Sequence, residues 1–241
     1  MLARHLHPWR VSYAQAIAIQ NQLRDRLRLS PIQQSVRLVA GADVAYARTT
    51  HRMYAALAVV SMPDLKLVET VEVVERATFP YIPGLLSFRE IPPLLVAFKR
   101  LRSEPDLVMF DGQGLAHPRG FGLACHAGVL LDRPSVGCAK SRLIGEYGHL
   151  GRRRGATAEL IHEGAVVGAV VRTRAAVKPV YVSPGHLSDI ETAVELVLAT
   201  SPRFRVPEPI RLAHQATVTL RQRDEGRPGP AVRIYPRFIK R

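Results

Sequence analysis

The chain has 241 residues, 47% of them hydrophobic and 22% charged, enough to bury a substantial core and too apolar for a disordered polymer. Lys and Arg total 34 against 20 Asp and Glu, and a net charge of +14 points to a polyanionic partner, nucleic acid first, although only five of those cations are lysine and an arginine-biased composition accounts for the same excess. The longest apolar runs are about eight residues against the ~20 of a membrane span, no apolar leader opens the chain, and two cysteines (Cys125 and Cys138) suit a reducing cytoplasm, so neither a membrane protein nor a secreted disulfide scaffold is expected.

Ala16, Ile17, Ile19, Gln20, Leu23 and Leu27 recur at three- and four-residue steps and predict a helix over 13–29, stopped by Ser30-Pro31. Three strands follow, over 36–46, 54–62 and 66–74, with turns around 48–52 and at Pro63-Asp64; short connections make them an antiparallel meander. A Pro/Gly-rich loop over 79–84 leads into a helix from 86 or 87 to 101, which Pro92-Pro93 either kinks or restarts. Beyond it the pattern gives strands over 106–111, 135–139, 166–172 and 179–182, and helices over 121–131 and 188–199. Ser188 and Glu191 fit a capping box for the last of these. The segment from Gln222 is polar, basic and rich in Pro and Gly, and reads as a mobile tail. The sum is one α/β domain over 1–220, a mixed central sheet flanked by helices, followed by a basic tail over 221–241.

Two carboxylates stand out. Asp43 interrupts the apolar strand LVAGADVAY, and Asp111 ends the apolar run LVMF; burial of either needs a partner or a metal. Asp43 also reads as a solvent-facing edge position, and Asp111 as an Asp-Gly turn. Two such residues on neighbouring strands of a basic protein suit Mg²⁺ beside a phosphate. Glu90 on the intervening helix is a third candidate, although a lone helical Glu is usually solvated. Lys140 ends a strand in a lysine-poor chain, but surface lysines are common. The segment DGQGLAHPRGFG, with His117 and Arg119, offers close backbone approach and a helix N-terminus to an anion. Tyr81 lies between two prolines in FPYIPG: either a ring packed under a turn or a rigid wedge for a base stack.

The blocks VAGADVAY, PYIPGLLSFRE, DGQGLAHPRGFGLACHAGVLLDRPSVGCAKSRL, VSPGHL and VPEPIRLAH resemble, in order and from about Leu6 to His214, the endonuclease V family of deoxyinosine-specific repair nucleases. The resemblance implies a ribonuclease H-like fold. It implies cleavage of the second phosphodiester bond 3′ to deoxyinosine, leaving 3′-hydroxyl and 5′-phosphate ends, with Mg²⁺ as cofactor and Mn²⁺ as a substitute. By motif position, Asp43, Glu90 and Asp111 look like the metal ligands, Lys140 the residue beside the scissile phosphate, and His214 a further catalytic member. Pro80, Tyr81, Ile82 and Pro83 look like the strand-separating wedge. Gly84, Leu86, Gly112, His117, Gly122 and Leu123 match the loops that grip the extruded base. Gly120-Phe121 departs from a bulkier or basic pair frequent in the family, which leaves the pocket rim open to question. The implied partner is deoxyinosine DNA, duplex or single-stranded, with inosine RNA left open, bound by a cytoplasmic monomer. Two rivals remain: another ribonuclease H-like nuclease of resolvase or excision-repair type, and a non-catalytic nucleic-acid-binding protein.

Overall fold

The computed structural model describes residues 1–47 and 50–226. Helix α1 (Tyr13–Arg24) precedes a three-strand meander, β1 (Leu38–Tyr46), β2 (Arg52–Ser61) and β3 (Lys66–Arg76). Next come α2 (Leu86–Arg100), β4 (Leu107–Phe110), α3 (Leu123–Leu131) and β5 (Ser135–Ala139). The chain then adds β6 (Thr157–His162), β7 (Ala165–Val171), β8 (Val180–Pro184), α4 (Ile190–Ala199) and α5 (Glu208–Asp224). All eight strands form one mixed sheet in the order β3-β2-β1-β4-β5-β8-β7-β6. β1, β4 and β5 are mutually parallel at its centre, and the other neighbours pair antiparallel. The expected α/β class, single domain and mixed sheet are all present.

Alternation along the strands splits the core in two. Ala40 and Ala42 of β1 point with Leu57, Val108 and Phe110 toward α2 and α3. Val39, Leu107, Met109 and Val136 point the other way, toward Ala193 and Val197 of α4 and Ile210 of α5. The α2 stripe of Phe88, Ile91, Leu94 and Phe98 is buried, each side chain worth ~1.5–3 kcal/mol by area. That stripe carries α2 unbroken past Pro92 and Pro93, so the two prolines neither end nor restart the helix.

Several boundaries shift. The first helix ends at Arg24, five residues early, because the turn after it is held only by single bonds from Arg26 and Leu27 back to Leu23 and Arg24. Asp189, not Ser188, caps α4 by accepting from Thr192 N–H at 2.8 Å. The Ser188 hydroxyl instead donates to Ser135 O at 2.7 Å and accepts from Gly185 N–H at 3.1 Å, so the expected capping box is a loop staple. Helix α5 was not expected, and its last turn takes in Arg221–Asp224, so a tail beginning at 221 or 222 cuts through a helix. The basic residues Arg227, Arg233, Arg237, Lys240 and Arg241 lie outside the described residues, as do Arg48 and Thr49 of the expected first turn. No helix among the described residues is long and apolar enough to cross a membrane, and Cys125 and Cys138 are both buried and free.

Candidate active site

Asp43 occupies the third strand of eight, not an edge, and is 8% exposed. Parity along β1 sends Gly41 and Asp43 toward α5. Gly41 lets that helix in: a Cβ there would sit 2.1 Å from the Pro209 carbonyl carbon. With the first turn of α5 seated on Gly41, the next turns come down on Asp43. Thr217 Oγ1 donates to Asp43 Oδ2 at 2.6 Å, and His214 Nδ1 meets the same oxygen at 3.2 Å. That contact raises the His214 pKa above the usual imidazole value despite partial burial.

The parallel register of β1 and β4 pairs Ala42 with Phe110, which sets Asp111 beside Asp43; the Asp111 N–H reaches Ala42 O at 3.4 Å. Lys140 follows the last residue of β5 and forms an ion pair with Asp111. Burial pushes the Asp111 carboxyl up, opposed by the Lys140 ammonium. Glu90 approaches from α2, on the helix face that also turns Leu86, Ser87 and Leu94 to the cleft. Burial, reinforced by the negative charges of Asp43 and Asp111, pushes Glu90 up to about 8. The sequence-predicted carboxylates therefore converge, and neither Asp43 at an edge nor Glu90 in bulk water describes them.

These three groups present only hard oxygen donors, the chemistry that suits Mg²⁺ or Mn²⁺ over a soft metal. Among the described residues no three acidic, histidine or cysteine groups already stand in ligating geometry. Lys140 holds Asp111, and Thr217 with His214 holds Asp43, so the protein's own donors meet the charge that Glu90 registers as repulsion. In composition and electrostatics, the set fits a divalent cation.

A cleft of about 450 Å³ joins the carboxylates to the Pro/Gly loop. Its walls include Asp43, Glu90, Asp111 and Lys140, and also Tyr81, Ile82, Pro83, Gly84, Leu86, Gly112, His117 and Leu123. Tyr81 is 63% exposed at the loop tip, so it is not a ring packed under a turn. Ile82 anchors the loop against Phe79, Leu85 and Phe88, and Arg89 Nη1 donates to Phe79 O at 2.8 Å. At the other end the Gly84 carbonyl accepts from Gln20 Nε2 at 3.1 Å, from His117 Nε2 at 3.0 Å and from Arg119. Because the Arg119 N–H donates to His117 Nδ1, the ring is the neutral Nε2–H tautomer; burial, with the Arg119 charge, lowers its pKa to about 4.

Three expected members stand off the cleft wall. Pro80 is exposed and is not part of the cleft wall. Gly122 is the N-cap of α3, its Cα pressed on Gln113, where a Cβ would lie 2.4 Å from the carbonyl oxygen. It packs the loop and does not line the pocket. His214 opens on an adjoining groove shared with Asp43, Asp111, Lys140 and Arg221. Sequence reading missed Thr217, which lies on an unexpected helix, and it counted Gln20 as part of an apolar repeat. A glutamine in that stripe was the available signal: Gln20 is 1% exposed and also holds Phe121 O and Arg119. The Arg119 guanidinium is thereby held against Gly84, whose carbonyl it meets.

A family model described as endonuclease V matches residues 21–215. An endonuclease V of Myxococcus xanthus is 49% identical over 217 residues, 90% of this chain and 92% of that protein. The crystal structure of an endonuclease V from Bacillus subtilis superposes with a TM-score of 0.89 at 31% identity, covering 94% of this chain and 99% of that one. A Ciona intestinalis endonuclease V, solved in complex with a 24mer DNA containing an inosine followed by a ribo-adenosine, superposes at 0.79 with 28% identity, covering 88% and 98%.

Proposed function

The chain belongs to the endonuclease V family of nucleases, which hydrolyse phosphodiester bonds, and from that premise we propose that it recognises deoxyinosine in DNA and cuts the second phosphodiester bond on its 3′ side, leaving 3′-hydroxyl and 5′-phosphate ends. The observation that carries this reading is the continuity of one cleft from an exposed aromatic tip, through a loop-lined pocket, to three converging carboxylates and a lysine. The inosine-bearing DNA held by the Ciona relative supports the choice of ligand.

Deamination turns the N6 donor of adenine into the O6 acceptor of hypoxanthine, so a pocket with backbone N–H groups from the loops that carry Gly84 and Leu123 favours the lesion and leaves adenine with donor facing donor. A weakened inosine pair lowers the cost of extrusion, and Tyr81 fills the vacated stack. At the reacting end, Lys140 is placed to offset charge on the scissile phosphate, and His214, with its pKa raised by Asp43, to move a proton near it. Asp43, Glu90 and Asp111 would hold Mg²⁺, with Mn²⁺ as a substitute; when bound, the ion supplies positive charge against the phosphate and makes water a better nucleophile. The protein acts on duplex or single-stranded DNA as a cytoplasmic monomer, and inosine in RNA is a candidate second substrate.

The test is a nicking assay on matched oligonucleotides carrying inosine or adenine, with and without Mg²⁺, and with both new ends identified. Cutting only the inosine strand at the stated bond is the expected result. Equal cutting of both strands favours a generic ribonuclease H-like nuclease, and binding without cutting a non-catalytic protein.

A further inference from the structure

Ser87 stands on the cleft-facing side of α2, three residues before Glu90, and lines the same cleft as Gly84, Gly112 and His117. It is 2% exposed, and its Oγ lies 3.0 Å from His126 Nδ1. His126 Nε2 lies 2.8 Å from His7 Nε2, and His7 Nδ1 lies 2.8 Å from the Pro8 carbonyl oxygen. The proton order along this chain follows from its far end. A carbonyl only accepts, so His7 Nδ1 carries a hydrogen and, in a neutral ring, His7 Nε2 is bare. His126 Nε2 must then donate, His126 Nδ1 is bare, and the Ser87 hydroxyl must donate to it. Burial lowers the pKa of both rings and keeps them neutral. Trp9 stacks on His126 with ring centroids 5.7 Å apart, while Phe88 and Phe121 stand at 5.2 and 5.5 Å, so the ring is packed from several directions.

A serine hydroxyl ordinarily rotates to donate or accept as its surroundings ask. Here its hydrogen is committed to His126, and only lone pairs are left for the cleft. The nearby Gly84 carbonyl, the obvious competing acceptor, already takes three donors. Hypoxanthine carries a hydrogen on N1, where adenine has a bare nitrogen. We infer that Ser87 Oγ is a specificity-determining acceptor for the N1–H of the extruded base, with His126 and His7 as positioning residues that fix its polarity. The inference rests on the deoxyinosine reading and extends it from the O6 edge to N1. Adenine at this point would set lone pair against lone pair, a buried mismatch that binding energy elsewhere must offset.

The experiment compares the full-length protein and its Ser87→Ala variant in Ca²⁺. Both are titrated with single-stranded oligonucleotides bearing deoxyinosine or 2′-deoxynebularine, a purine with a bare N1. Single strands keep base-pair strength out of the comparison. Ser87→Ala should weaken inosine binding about tenfold, ~1.4 kcal/mol, and leave nebularine within about twofold. Ser87→Thr, which keeps the hydroxyl, should retain the inosine preference. Equal losses on both ligands would overturn the inference and leave Ser87 a packing residue. A wild-type protein that does not prefer inosine to nebularine overturns the deoxyinosine reading, and this inference with it. Nitrogen-15 histidine spectra give an independent measure: His126 should show a protonated Nε2 and a bare Nδ1, and the opposite tautomer or a charged ring overturns the proton order.

Discussion

Asp43 and Asp111 are costly residues that the fold compensates differently, one by a hydroxyl and an imidazole from the same helix, the other by an ammonium. If they serve as cation ligands, Asp43→Ala or Asp111→Ala should abolish nicking in Mg²⁺ while binding to inosine DNA in Ca²⁺ survives, because pocket and phosphate contacts remain. Near wild-type turnover by Asp111→Ala would sink the assignment. Glu90→Ala should behave alike, with partial rescue by Mn²⁺, which accepts a poorer ligand set. His117 permits a prediction about stability. Its folded pKa lies near 4 against 6.5 in the unfolded chain, so below pH 6.5 the unfolded chain binds more protons. Its contribution, on the order of 3 kcal/mol, is complete above pH 6.5 and is lost as the pH falls toward 4. Urea melts of the wild type should weaken across that window more steeply than those of His117→Asn, and parallel profiles would remove His117 as the cause.

At the scale of elements, the 79–84 loop is pinned at both ends, by Arg89 on Phe79 and by three donors on Gly84, and it leaves one ring free at its tip. Pre-ordering lowers the entropy lost on meeting a duplex, and a base stacked on an aromatic ring is worth roughly 1–3 kcal/mol. Tyr81→Ala should therefore lose about 10- to 100-fold in affinity for inosine in a duplex, less in a single strand, and Tyr81→Phe should be nearly neutral. Binding to matched double- and single-stranded oligonucleotides checks it; equal losses would mean that Tyr81 meets DNA other than as a wedge. The elements themselves differed in legibility. β1, β2 and α2 announced themselves because long apolar runs or stripes are buried on them. β6 did not, since Leu160 is its one buried residue, and neither did α5, whose buried face is Pro209, Ile210, Ala213 and Thr217, half of it invisible to a search for large apolar side chains. The candidate site divides the same way. Asp43 and Asp111 were visible as charges out of place, whereas His214 was carried by resemblance alone because the helix presenting it left no strong pattern.

For the molecule as a whole, the end of α5 is a structural tie. Asp224 accepts from the Tyr54 hydroxyl at 2.7 Å and pairs with Arg52, joining the last described helix to β2. Deleting residues 221–241 removes that hydrogen bond, the Arg52 pair and the last turn of α5, and should lower Tm by several degrees. Deleting only 227–241 keeps Asp224 and both of its contacts. It should also flatten the salt dependence of DNA binding, by ~0.9 in log–log slope for each phosphate no longer neutralised, without altering the inosine-to-adenine preference. Calorimetry and salt titrations on the two truncations separate the tie from the charge, and an unaltered slope means the removed cations stay off the DNA.

The tie between β1 and α5 also orders events during synthesis. The donors that settle Asp43 lie 171 and 174 residues downstream of it, so at ~5–20 residues per second a ribosome exposes the carboxylate roughly 10–35 s before it can deliver them. Throughout that interval the strand pair holding Asp43 and Asp111 has no α5 to close over it. A chain stopped short of α5 lacks both His214 and Thr217, and its Asp43 is left without either donor.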